Sequence, residues 1–313
     1  MAAIPLGKTI EASYRFAFAN ILSVFGIVWL PSLIFLAVLG GVAWRVWPDI
    51  QALQSVHLQS GNGSHFALTD EDRDRVLRVL HGAWRFAVPV GLAGLVLRAM
   101  IAVGVLEKAL GRREGPVFVY FSLGAPLWRM MGASLLAGIA VMGVAVATCI
   151  AVAALLWGVA HYAGGISGLA KFVSVAAAAT WIVYMALRLV FFLPAVVVAE
   201  ERIGFARAWE LGRGNVWRIL GLLLAVLLPA AIVAGTLSRV LTGGMSMMGP
   251  QMAAIVSRSA SPAQALAAVL SRLHGVWPLL LALDIVYVTL MTGLALGAMA
   301  NAYKAVTAPE TRT

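Results

Sequence analysis

The chain has 313 residues, of which 62% are hydrophobic and 12% charged, with a mean hydropathy of +0.93. A soluble domain keeps roughly a quarter of its residues charged, so this composition excludes an ordinary water-solvated fold. The formal charge of +10, from 23 Lys and Arg against 13 Asp and Glu, falls beside apolar runs and suits anionic lipid headgroups. No basic stretch with interleaved aromatics is present, which excludes nucleic acid as a partner.

Residues 1–18 are mixed and amphipathic, and the first apolar run, Ile21 to Trp44, is longer than the core of a cleavable signal. It is expected to remain as a membrane span. Six runs reach the roughly 20 residues that cross a hydrocarbon core of about 30 Å: about 20–44, 86–106, 130–157, 172–198, 219–237 and 278–300. Each must be helical, because backbone polar groups facing lipid find no water. The expected fold is therefore all-α and polytopic, a single transmembrane domain over 1–313. Pro31, Pro89, Pro194 and Pro229 fall within or near the ends of these runs as tolerated kinks.

Orientation follows from Lys and Arg in the short connections, four in 107–129 and four in 199–218 against one in 158–171. The positive-inside rule puts the first two, and both termini, in the cytoplasm. The long outer loops, 45–85 and 238–277, each contain a helix signal. Thr69 to Asp72 has the form of a capping box leading into Arg73–Phe86. Ser261, Pro262 and Gln264 supply a cap, a first-turn proline and a reciprocal amide ahead of a stripe of Leu266, Val269, Leu270 and Leu273. Both helices are expected to lie on the membrane surface or pack on the loop.

The expected cytoplasmic side carries a threefold echo. Tyr14 to Gly26, Tyr120 to Gly132 and Trp209 to Gly221 each run from an aromatic to a glycine twelve residues on. Asn20 aligns with Asn215, and Trp128-Arg129 with Trp217-Arg218. The echo predicts three units, each an interfacial helix followed by a transmembrane hairpin. The Trp-Arg pairs suit headgroup depth, with the indole at the interface and the arginine reaching for phosphate.

Residues 188–200 (RLVFFLPAVVVAE), 205–211 (FARAWEL) and 214–218 (GNVWR), with the closing 300–304 (ANAYK), resemble the YciC-like proteins. These are grouped with the membrane domain of glycerophosphoryl diester phosphodiesterases. The likeness covers nearly the whole chain in layout, with its recognisable residues between 188 and 218. It implies a six-span bacterial inner-membrane protein of mostly undefined role. In members with the diesterase, hydrolysis belongs to a separate soluble barrel; up to Thr313 no such barrel is read, so the activity is not expected here.

Three ionisable residues lie inside the runs: Arg98, Arg188 and Asp284. An unpaired charge near the bilayer centre costs about 3 kcal/mol, so Asp284 is expected to pair with Arg188 or Arg98, fixing helix register. The second arginine is left to meet an anion such as a lipid phosphate. Lipid and anion contacts are accordingly assigned to Arg98, Arg188, Trp128, Arg129, Trp217 and Arg218. Cys149 reads as a small core residue. The five histidines and the Met245–Met252 loop match no established metal spacing, so neither metal nor cofactor is implied. Small residues four apart at Thr289, Gly293 and Gly297, and at Gly143, Ala147 and Ala151, let helices approach closely within the bundle or between copies. No HExxH, P-loop or nucleophile elbow is present, and no catalytic residues are assigned. Three functions stay open: a non-enzymatic protein that binds or organises lipid or scaffolds a complex; a small transporter or flippase using Arg98, Arg188 and Asp284; and an accessory subunit of a membrane enzyme.

Overall fold

The structure is a computed structural model describing residues 3–54, 70–162, 168–241, 259, 261–272 and 275–308. Among these residues are ten α-helices and no strand: α1 (Leu6–Ala19), α2 (Ile21–Gln54), α3 (Asp70–Leu110), α4 (Ala125–Tyr162), α5 (Gly168–Val190), α6 (Leu193–Glu200), α7 (Phe205–Gly212), α8 (Val216–Leu241), α9 (Pro262–Arg272) and α10 (Trp277–Thr307). Six stretches are long and apolar enough to cross a membrane: Ile21–Pro48, Trp84–Leu110, Ala125–Val159, Gly168–Glu200, Val216–Leu241 and Pro278–Thr307. They match the six expected runs, and the chain is an all-α polytopic membrane protein.

Pro31, Pro89 and Pro229 sit inside continuous helices, as membrane helices allow when neighbours satisfy the freed carbonyl. Pro194 does more. The fourth run, expected as one helix, bends at Phe191 and Phe192 and resumes as α6 with Pro194 in its first turn. A proline there has no N–H to give the carbonyl four residues back, at Val190.

Residues group into two compact units, one of Met1–Val28, Ala99–Ala230 and Thr289–Thr313, the other of Trp29–Arg98 and Ala231–Val288. In the first unit α1 buries Thr9, Ser13 and Ala17, a stripe of small residues four apart. It meets the expected small-residue stripe of α10: Thr289 is buried, Gly293 faces Ala17 and Val24, and Gly297 faces Phe16. Tyr14 Oη donates to the Val226 carbonyl at 3.1 Å. The stripe on α4 behaves differently, since Gly143, Ala147 and Ala151 are all exposed. Cys149 is exposed as well, which corrects its reading as a core residue.

Two copies of the echo share a structural device. Asn20 Nδ2 donates to the Phe16 carbonyl at 3.0 Å, and Asn215 Nδ2 to Leu211 at 3.3 Å, each four residues back, while each asparagine's own carbonyl accepts the N–H of the helix that follows. A short helix, an asparagine junction and a span thus recur at α1–α2 and α7–α8. The middle copy lacks the short helix: residues 116–123 are non-helical. This segment crosses α2 and α3 at two glycines. A Cβ on Gly26 would overlap the Val117 carbonyl, and one on Gly104 would lie 3.0 Å from the Tyr120 ring. Backbone seated that closely on a helix leaves no room for a helical turn, which is why the expected interfacial helix is absent here.

In the second unit Trp47 is buried, its Nε1 donating to the Ser259 carbonyl at 3.2 Å, with Ala265, Ala268 and Val269 packed on its side. The Gln264 N–H donates to Ser261 Oγ at 3.3 Å, the expected cap of α9. The covered face of α9 is Ala265, Ala268 and Val269, whereas Leu266, expected on that stripe, is 60% exposed; the flat indole accepts alanines more closely. Asp70 opens α3, which runs unbroken into the second span, so the expected separate helix at 73–86 is the first part of a longer one. Thr69, Leu273, His57, His65, His274 and the Met245–Met252 loop lie outside the described residues.

Candidate functional site

The stretch that follows the bend at Phe191 and Phe192 carries the densest polar chemistry of the first unit. α6 closes on Glu201, whose φ of 54° and ψ of 28° are left-handed. A non-glycine residue there costs about 1 kcal/mol, and it places consecutive carboxylates, Glu200 and Glu201, on different partners. Arg202 Nε and NH2 donate to Glu200 Oε2 at 3.0 and 2.7 Å, while Tyr303 Oη donates to Oε1 at 3.2 Å. Arg207 Nε stands 3.4 Å from the same Oε1 and its NH1 is 3.8 Å from Glu210. Glu201 takes Arg112 NH1 at 2.9 Å and has Arg129 NH1 at 3.9 Å.

Helix ends explain why these cations are here. The last carbonyls of a helix have no intrahelical donor. At the end of α3 the Gly111 N–H bonds Lys108, the Arg112 N–H bonds Glu107, and Lys304 Nζ donates to Ala109 at 2.8 Å. At the end of α6 Arg112 NH2 donates to the Ala199 carbonyl at 2.6 Å. The junction thereby ties the ends of α3, α6 and α10 to the first turns of α4. Its ion pairs are mostly wet: the Glu201 side chain is 63% exposed and Arg202 67%. Exposed pairs of this kind contribute about 0–1 kcal/mol each, so the junction orients these ends more than it stabilises them. Four arginines meet three glutamates in it, and Arg129, at 3.9 Å, is the most loosely held.

Arg188 sits one turn before the bend, in the last turn of α5, where the helix dipole favours a cation. Its guanidinium lies 3.8 Å above the Trp209 ring of α7, and Nε is buried without a hydrogen-bond partner. α7 approaches so closely that a Cβ on Gly212 would lie 2.7 Å from the Arg188 carbonyl. An indole face thus serves this cation. Arg98 and Asp284 belong to the second unit, where both are exposed, and within it no ion pair joins them.

The other expected lipid contacts lie at the starts of spans. Trp128 in the first turn of α4 and Trp217 in the first turn of α8 are 58% and 69% exposed. Arg218 NH1 donates to the Ile4 carbonyl at 3.0 Å, and the Ile4 N–H donates to Asn215 Oδ1 at 3.2 Å. Between α3 and α4 the connecting segment buries Val117 and Tyr120 but exposes Phe118, Val119, Phe121 and Leu123. Arg113 lies 4.8 Å over the Tyr120 ring, and burial, with the Glu107 carboxylate adding to it, pushes that phenol above its usual range.

Behind the bend is an apolar cavity of about 480 Å³ between α4, α5 and α6. Met130, Ala133, Ala137 and Val141 form its α4 wall, and Leu223 of α8 and Met299 of α10 line it from within the bundle. Among the described residues no group of three or more His, Cys, Asp or Glu side chains is placed to hold a metal.

Sequence reasoning missed Glu200, Glu201, Arg112, Arg202, Arg207 and Tyr303 as a cluster. Glu200 and Tyr303 stand in the stretches singled out for their resemblance; Arg112 carries no signal of its own. Comparison with known proteins gives no match to this chain among family models, curated proteins or solved structures.

Proposed function

We propose that this is a non-enzymatic protein of the bacterial inner membrane, with both termini cytoplasmic, that binds and organises anionic phospholipid. One observation carries the reading: at span after span of the first unit, exposed aromatic side chains stand beside arginines. Trp128 is followed by Arg129, Trp217 by Arg218, and Phe118 and Phe121 come soon after Arg112 and Arg113. Indoles favour headgroup depth, phenyl rings bury just below it, and each basic residue near an anionic surface adds about 1 kcal/mol of attraction. Two stretches that resemble the YciC-like proteins, 188–218 and 300–304, meet through Glu200 and Tyr303, which supports placing this chain with the membrane-domain branch of that group.

Nanodiscs made from equal parts phosphatidylglycerol and phosphatidylcholine test the reading. Lipid carried through extraction and counted by mass spectrometry is expected to be enriched about fivefold in phosphatidylglycerol. The enrichment should fall in an Arg129→Gln, Arg218→Gln double variant. An equal ratio around the wild-type protein refutes the proposal.

A further inference from the structure

We infer that the cavity between α4, α5 and α6 is a binding site for one acyl chain of an anionic phospholipid, whose phosphate is held by Arg129. The inference rests on the lipid-binding reading above and gives it a specific site. The α4 wall consists of residues 130, 133, 134, 137, 138 and 141, the spacing of one helix face. Ala133, Ala137 and Gly138 hollow this face into a trough, and from Met130 to Val141 it extends roughly 16 Å at 1.5 Å per residue. The trough accepts something long, thin and apolar.

The surroundings narrow the choice to a lipid chain. α4 and α5 both belong to candidate spans, so hydrocarbon, not water, is the fluid at the opening. Alkyl walls left without an apolar occupant forfeit dispersion contacts. Leu223 and Met299 reach the open-sided cavity from α8 and α10, so the occupant is backed by helices beyond the two that form its rim. This separates a held chain from the lipid that coats any membrane protein.

A cation stands near one end of the trough. Arg129 precedes Ala133 by four residues and so lies one turn below it, beside the Ala133 edge of the trough. Its guanidinium is 3.9 Å from Glu201, beyond hydrogen-bonding distance, which leaves its N–H donors available for phosphate oxygens. Trp128, exposed beside it, marks headgroup depth. A chain in the trough and a phosphate at its arginine end are the two parts of a single phospholipid.

Delipidated protein in detergent, titrated with phosphatidylglycerol and read by native mass spectrometry, tests this. The wild type is expected to hold one phosphatidylglycerol at collision energies that strip all others. Ala137→Phe, which fills the trough, should lower that occupancy about tenfold, while Ala147→Phe on the exposed face of the same helix should leave it unchanged. Arg129→Lys should keep the preference over phosphatidylcholine and Arg129→Gln should abolish it. Gly138→Val, a smaller filling, serves as the second variant, and both filled proteins are required to melt as the wild type does. Ala137→Phe and Gly138→Val holding the lipid as the wild type does would overturn the site, as would hexadecanoate displacing phosphatidylglycerol at equal concentration. Enrichment in nanodiscs would survive either result, so a failed site and a failed lipid reading are told apart.

Discussion

At the scale of single residues, Arg188 is the clearest case of a charge stacked on an aromatic face. Its buried Nε has no hydrogen-bond partner and its guanidinium lies over the Trp209 face, an arrangement worth about 2 kcal/mol when desolvated. A double-mutant cycle with Arg188→Met and Trp209→Leu should therefore return a coupling of about 1–2 kcal/mol in thermal unfolding. Strictly additive losses would show that the stacked geometry contributes nothing. The sequence marked Arg188 as a cation needing company, but a count of charges inside spans cannot weigh an indole as a partner. Trp209 was visible as the start of a repeat and within the stretch that carries the resemblance, not as a partner for a cation.

Junctions between elements were more legible. Asn20 and Asn215 align in sequence, and both cap the preceding helix through the same bond to the carbonyl four residues back. They differ in one respect, since Asn215 also accepts the Ile4 N–H and is buried. Asn215→Ala is expected to cost about 2–3 kcal/mol and Asn20→Ala about 1 kcal/mol, from roughly 1 kcal/mol per net bond and more where a buried group is orphaned. Hydrogen exchange at Ile4 should quicken in the first variant alone; equal effects from the two would show that the Ile4 bond has no weight. The middle repeat was misread for a physical reason. Its aromatic-to-glycine spacing is the same, but Gly26 and Gly104 sit on other elements and admit the Val117 backbone and the Tyr120 ring, an approach that no local pattern at 116–123 announces. Likewise the bend at Phe191 and Phe192 was written in Pro194, yet Pro31, Pro89 and Pro229 look the same in sequence and bend nothing into two helices.

For the molecule as a whole, apolar run length decided the architecture, and the six spans came through with ends shifted by a few residues, most where helices outrun the hydrocarbon-length window. The charged junction around Glu200 and Glu201 was not legible, since its members come from connections separated by up to about two hundred residues and met only through folding. Sidedness remains a matter of charge, with Arg112, Arg129, Arg202 and Arg207 all gathered there. A fluorescent-protein fusion after Gly115 or after Thr313 should fluoresce, and an alkaline phosphatase fusion at either point should be inactive. Active phosphatase after Gly115 would invert the proposed orientation.

The bond between Ile4 and Asn215 spans 211 residues of sequence, and this has a consequence for biogenesis. At synthesis rates of about 5–20 residues per second, the opening residues emerge roughly 10 to 40 s before their partner exists. Through that interval α1 must wait with its seat unbuilt, resting on lipid or on the insertion machinery. Docking of the first helix is then among the last events of assembly, and it signals that the fifth span has arrived.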